Sequence, residues 1–169
     1  MPNYRRANIK GGTFFFTVVL ADRSSRLLIE EIDRLRMHIA SSSNAAHSKR
    51  SRFAFCPITS TRYDSDFATR WSLIKGGFSR GIDAPSGSQS QASKREKGIW
   101  QRRYWEHTIR DDADFERHVD YVHFNPVKHG YVTRVADWPH STFHRFVEHG
   151  LLAPDWGGDL KDIAGSFGE

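Results

Sequence analysis

The chain holds a single cysteine, Cys56, which excludes an intramolecular disulfide and any zinc site built from several thiolates. A lone thiol suits a reducing compartment, and a cytoplasmic protein is expected. Long apolar runs are missing too. The most apolar stretch, GGTFFFTVVLA over residues 11–21, is too short to cross a bilayer and lacks the cleavage pattern of a secretion signal, so no membrane attachment is expected. No Gly-rich phosphate loop, no Ser-His-Asp arrangement and no internal repeat stands out.

What is present is basic and aromatic. Twenty-five Lys plus Arg against twenty Asp plus Glu give a net charge of +5, beside five Trp, five Tyr and twelve Phe. That mixture suits phosphate contacts and base stacking, so nucleic acid is the partner to test, although a solvated basic surface has the same composition. At 169 residues one domain is expected, over residues 1–157, with a flexible loop at 83–98 and a C-terminal tail at 158–169. The loop, DAPSGSQSQASKREKG, is almost free of apolar side chains.

TFFFTVVLAD (13–22) is β-branched and aromatic and reads as a central strand buried on both faces. SRLLIEEIDRLRMHIA (25–40) changes period, with Leu28, Ile32, Leu35 and Ile39 at helical spacing. RFAFCPI reads as a strand that Pro57 ends or confines to an edge. DFATRWSLIKGGFSRGI (66–82) is a helix with Phe67, Trp71 and Ile74 on one face, weakened at its end by Gly76 and Gly77. DDADFERHVDYVHFN (111–125) opens with acids, as a helix start should, and is expected to stop at Pro126. A short extended piece, a Trp-Pro turn and a final helix follow in 130–150.

On the 111–125 helix Phe115, Val119 and Val122 form the expected core stripe, and His118, Tyr121 and Asn125 form a second stripe at its edge. A tyrosine there, with an amide one turn further on, is either a nucleophile beside a metal ligand or a packed ring whose hydroxyl is hydrogen-bonded. WQRRYWEH (100–107) is either a platform for bases and phosphates or an aromatic strand with a basic outer face.

Four blocks in order, YRRANIKGGTFFFTV (4–18), DFATRWSLIKGGFSR (66–80), GIWQRRYWEHTIRDDADFERHVDYVHFNPVKHGYV (98–132) and DWPHSTFHR (137–145), resemble the REP-associated tyrosine transposases. Those are relatives of the single-tyrosine HUH transposases of bacterial insertion sequences. The resemblance implies an α+β, ferredoxin-like fold with helices on one face of an antiparallel sheet, and chemistry on single-stranded or hairpin DNA. It implies that Tyr121 is the nucleophile, leaving a 5′-phosphotyrosine and a free 3′-hydroxyl, and that Asn125 ligates Mg²⁺ or Mn²⁺. By charge and position Arg5, Arg6, Arg70, Lys75, Arg102, Arg103 and Lys128 are the expected phosphate contacts, with Trp100 and Trp105 as stacking or packing residues. A cytoplasmic, nucleoid-associated protein follows from that partner.

One departure stands out. The family carries a strand ending in Pro-Asp-His-hydrophobic-His, whose two imidazoles bind the metal. The corresponding place is CPITSTRY (56–63), which has no histidine where two are expected, near Thr59 and Thr61. If these residues are encoded TGC CCG ATC ACC TCC ACG CGT TAC, the frame starting at the third base of the Cys56 codon reads Pro-Asp-His-Leu-His-Ala-Leu. Translation out of frame from the early forties to Tyr63 is therefore an expectation of this reading. The rival expectations are a DNA-hairpin binder that does not cleave and a poorly folded pseudogene product.

Overall fold

A computed structural model describes residues 12–44, 52–54, 58–62, 66–83, 90, 93 and 96–157. Arg5, Arg6, most of the expected loop at 83–98 and the tail at 158–169 lie outside the described residues, as do 45–51, 55–57 and 63 of the segment expected to be out of frame.

Strand β1, Thr13–Thr17, is TFFFT, whose aromatic and β-branched side chains fit a pleated surface. Helices α1 (Leu27–Glu30) and α2 (Ile32–Asn44), strands β2 (Arg52–Ala54) and β3 (Ile58–Arg62), helix α3 (Phe67–Ser79) and strand β4 (Trp105–Ile109) follow. All pairings are antiparallel and the strand order is β2-β3-β1-β4, the ferredoxin-like arrangement of a βαββαβ chain. β1 is central, as its unbroken hydrophobicity predicts, and β2 lies at the edge. Regular pairing ends at Thr17, five residues before the sequence pattern does, and continues as a Leu20–Trp100 bridge. The helix read over 25–40 is broken at Glu31 into two.

Side chains alternate across β1. Phe14 and Phe16, with Val18 and Leu20, meet Leu35 of α2 and Phe67, Trp71, Ile74 and Phe78 of α3 in the main core. Each of these side chains contributes about 1.5–3 kcal/mol by leaving water. Phe15 points to the other face and packs against helix α4, Asp112–Lys128, through Val122 and Tyr121. Helices α1–α3 and helix α4 therefore lie on opposite faces of the sheet. The far side of α4 is covered in turn, where Phe124 meets Val135, Phe143 of helix α5 (Phe143–Glu148) and Trp156.

The start of α4 follows its sequence. Asp111 is the N-cap and accepts the Asp114 N–H at 2.7 Å, and Asp112 and Asp114 sit at the positive end of the helix dipole. Its end does not follow the expectation, because the helix runs through Pro126 to Lys128. Proline this close to the C-terminus forfeits only one internal bond. The His129 and Gly130 N–H groups bond to the Asn125 and Val127 carbonyls, Tyr131 N–H bonds to the Pro126 carbonyl, and Gly130 takes a left-handed φ of 71° that closes the helix. Among the described residues no helix is long and apolar enough to cross a membrane.

Candidate nucleophile and metal-ligand site

The extra turn and the packing on Phe15 decide which face of α4 meets the sheet. The stripe expected at the edge is the one that faces it. The Phe15 ring centre lies 4.4 Å from His118 and 6.2 Å from Tyr121, and Asn125, one turn beyond Tyr121, is buried at 4 % exposure. Of the expected core stripe only Val122 is fully buried, while Phe115 and Val119 are intermediate. Lys128 places its Nζ 5.7 Å over the Tyr121 ring, a cation against the π face of the expected nucleophile.

β4 supplies the other wall. His107 pairs in register with Phe15 and so shares its face. The His107 and His118 rings stack at 4.5 Å and 19°, and Trp105 stacks on both at 5.6 and 6.4 Å while 52 % exposed. Beneath this row is Asp114, buried at 2 % exposure and four residues before His118. Its carboxylate accepts from His107 Nε2–H (2.8 Å), the Arg110 backbone N–H (3.0 Å) and Arg110 Nε–H (3.3 Å). His118 Nδ1–H donates to the Asp114 carbonyl at 2.7 Å and lies 3.4 Å from the carboxylate.

Partners of one kind fix both tautomers, since each ring nitrogen facing Asp114 meets only acceptors. Burial alone would raise the Asp114 carboxyl, but the hydrogen bonds from His107 and Arg110 hold it well below the usual carboxylate range. Burial, which favours the neutral ring, lowers the His118 imidazole, and its bond to the Asp114 backbone offsets this in part. The ligand atoms of His107, Asp114 and His118 lie within 4.8 Å of one another, and among the described residues they form the one such group of three.

The place expected to carry the family's two imidazoles behaves differently. Thr59 and Thr61 pair with Phe16 and Phe14, which serve the main core, whereas Ile58, Ser60 and Arg62 pair with Thr17, Phe15 and Thr13. Positions 58, 60 and 62, one residue away from the expected ones, are those in register with the Tyr121 face. None is a histidine.

The expected DNA contacts also separate. Arg70 is buried at 8 % exposure on the α3 side and offers no surface charge. Lys75 donates to the Gln101 carbonyl at 2.8 Å and lies over the Trp100 and Tyr104 rings, with burial lowering its ammonium to about 8. Trp100 packs on Phe78 and donates its indole N–H to Ser79. Those three serve packing. Arg102 is exposed and bridged to Glu96 at 2.8 Å, Arg103 and Lys128 are exposed, and the exposed Trp105 packs on the same Phe15 ring as Tyr121.

Sequence reasoning missed His107 and Asp114 as site residues. The Asp114-x-x-x-His118 spacing was the available signal, because residues four apart share a helix face. A histidine pair at the same spacing, His140 and His144, contradicts the reading that no His-x-x-x-His pair is present, but it is not a ligand pair here. His144 Nε2–H donates to the Trp138 carbonyl and His140 packs edge-on against the Trp138 ring.

No protein-family model matches the chain. A curated protein of Escherichia coli K12, a REP-associated tyrosine transposase, is 41 % identical over 170 residues, covering 97 % of this chain and 96 % of the relative. A Haemophilus influenzae protein named for the same family is 41 % identical over 173 residues, covering 95 % and 97 %. The solved structure of a REP-associated tyrosine transposase bound to a REP hairpin superimposes with a TM-score of 0.76 at 41 % identity, covering 96 % of this chain and 94 % of that one.

Proposed function

Because the chain belongs to the REP-associated tyrosine transposase family, we propose that it binds REP-type hairpin or single-stranded DNA and that Tyr121 is its nucleophile. The observation that carries this reading is the position of Tyr121: on the sheet face, flanked by His118 one turn before it and by the Lys128 cation, with the exposed Trp105 ring packed on the same Phe15. The phenolic oxygen attacks the scissile phosphorus and the bond from phosphorus to the 3′-oxygen breaks. The electron pair and, in net terms, the phenolic proton pass to that oxygen. The products are a tyrosyl ester of the 5′-phosphate and a free 3′-hydroxyl, and attack by a 3′-hydroxyl on the ester reverses the step. A phenol ordinarily holds its proton to about pH 10, so the step requires that this proton leave as the ester forms. Of the expected phosphate contacts among the described residues, Arg102, Arg103 and Lys128 are exposed and are proposed to meet phosphates, and the exposed Trp105 is proposed to stack an unpaired base. The site of action is nucleoid DNA in the cytoplasm.

Mg²⁺ or Mn²⁺ is the ion this chemistry uses in the family. The residues that would hold it in the family's manner do not fit, since β3 supplies no imidazole and Asn125 alone supplies one neutral oxygen. No step is routed through that site. The same gap favours a second reading, a hairpin binder that does not cleave. Nucleotide sequence across codons 56–63 tests its origin: without His-x-His in the neighbouring frame, the out-of-frame account fails.

Incubating a labelled REP-type hairpin with the unmutated chain and with Tyr121→Phe separates the readings. A covalent adduct in the first alone, with similar hairpin affinity in both, is expected of an enzyme. Equal binding with no adduct in either identifies the binder, and no binding in either contradicts both.

A further inference from the structure

We infer that His107, Asp114 and His118 form a divalent transition-metal site, distinct from the place where the family's two imidazoles would lie. Metal binding here stands on this geometry alone, and only its use beside Tyr121 rests on the reading above.

The spacing of the donor atoms carries the inference. A metal bound at about 2.0–2.2 Å by nitrogen and oxygen holds neighbouring ligand atoms about 3.0–3.5 Å apart at tetrahedral or octahedral angles. Asp114 Oδ2 lies 2.8 Å from His107 Nε2, Asp114 Oδ1 lies 3.4 Å from His118 Nδ1, and one ligand atom from each of the three residues lies within 4.8 Å of the others. The two carboxylate-to-imidazole spacings therefore already stand close to the edges of a coordination polyhedron, and a small closure of the imidazoles on each other completes it. The carboxylate is buried at 2 % exposure, so water competes little with a cation for it. On binding, His107 Nε2 and His118 Nδ1 give up the protons they now donate to the Asp114 carboxylate and to its main-chain carbonyl, those protons pass to the other ring nitrogen or to solvent, and metal bonds replace the two hydrogen bonds.

Two cations now touch Asp114 and would have to yield. Arg110 Nε at 3.3 Å and Arg117 at 3.5 Å belong to side chains that are 71 % and 51 % exposed, and contacts that long and that wet hold little free energy. The Arg110 backbone N–H, at 3.0 Å, stays in place and orients the carboxylate behind the metal. Phe15 and Trp105 pack the imidazoles from two sides, which limits their reorientation. Three protein ligands leave positions for water or a phosphate oxygen. Two imidazoles with one carboxylate prefer Mn²⁺, Co²⁺ or Zn²⁺ to Mg²⁺.

The test titrates Co²⁺ into the full chain, followed by its visible absorption, and Zn²⁺ into ¹⁵N-labelled chain, followed by the histidine ring nitrogens. One saturable equivalent is expected, with His107 Nε2 and His118 Nδ1 showing the shifts, and His107→Ala or His118→Ala weakening Co²⁺ binding at least tenfold while His149→Ala, at an exposed position outside the site, leaves it unchanged. No saturable binding, shifts confined to other histidines, or full affinity in His118→Ala overturns the site. The ring-nitrogen measurement uses the unmutated protein and decides the matter even if a variant fails to fold. Saturable binding at these nitrogens without any hairpin adduct upholds the metal site and removes Tyr121 from its role, whereas an adduct without binding removes the site and upholds Tyr121.

Discussion

Asp114 shows how much one residue organises here. It receives three hydrogen bonds while nearly excluded from water, so Asp114→Asn, which keeps the shape but loses the charge, should cost about 2–3 kcal/mol in urea unfolding. Its depressed folded pKa adds stability that is present above the ordinary carboxylate range and lost as pH falls through the folded value. His123 acts at milder acidity. It is fully buried beside Phe143, Phe146 and Trp156, with Nε2 bonded to Thr142, and burial lowers it to about 4. Between that value and the unfolded 6.5 the unfolded chain binds more protons, so stability should rise with pH across the window and be complete above it. The full span is worth about 3 kcal/mol. Urea midpoints at pH 4.5 and 7 should differ in the unmutated chain, and the difference should shrink in His123→Leu. Neither role is legible in the sequence, because both arise from what the fold buries.

Helix α3 offers a sharper contrast between neighbours. The sequence reading treats Gly76 and Gly77 alike, as weakening the helix end. A Cβ at Gly76 meets nothing within 4 Å, whereas one at Gly77 collides with the His38 ring of α2. Gly76→Ala should therefore stabilise by about 0.5–1 kcal/mol and Gly77→Ala destabilise by about 1–3 kcal/mol, as read by thermal unfolding. Helix α4 was legible at its start through Asp111 and its acidic first turn, but not at its end, since proline reads as a stop wherever tertiary contacts do not carry the helix past it. Its periodicity likewise marked two adjacent stripes without saying which one meets the sheet. Phe15, from a distant strand, decides that, and with it the burial of Asn125 and the setting of Tyr121.

For the molecule as a whole, the ferredoxin-like order follows from elements that the sequence announces by period, with β1 central because it is hydrophobic on both faces. The site is only half legible. Tyr121 and Asn125 carry the family resemblance, while His107 and Asp114 become neighbours of His118 only through the β4 register. The net charge of +5 predicts that hairpin affinity falls steeply with salt, a slope that Arg103→Ala should reduce by about one unit. The central claim is that Tyr121 forms the covalent link to DNA, and mass spectrometry of peptides from chain incubated with a REP-type hairpin and Mn²⁺ tests it most directly. The account predicts a nucleotide on the phenolic oxygen of Tyr121, attached through its 5′-phosphate; a modified Tyr104 or Tyr131, or no nucleotide-bearing peptide from a chain that binds the hairpin, would contradict it.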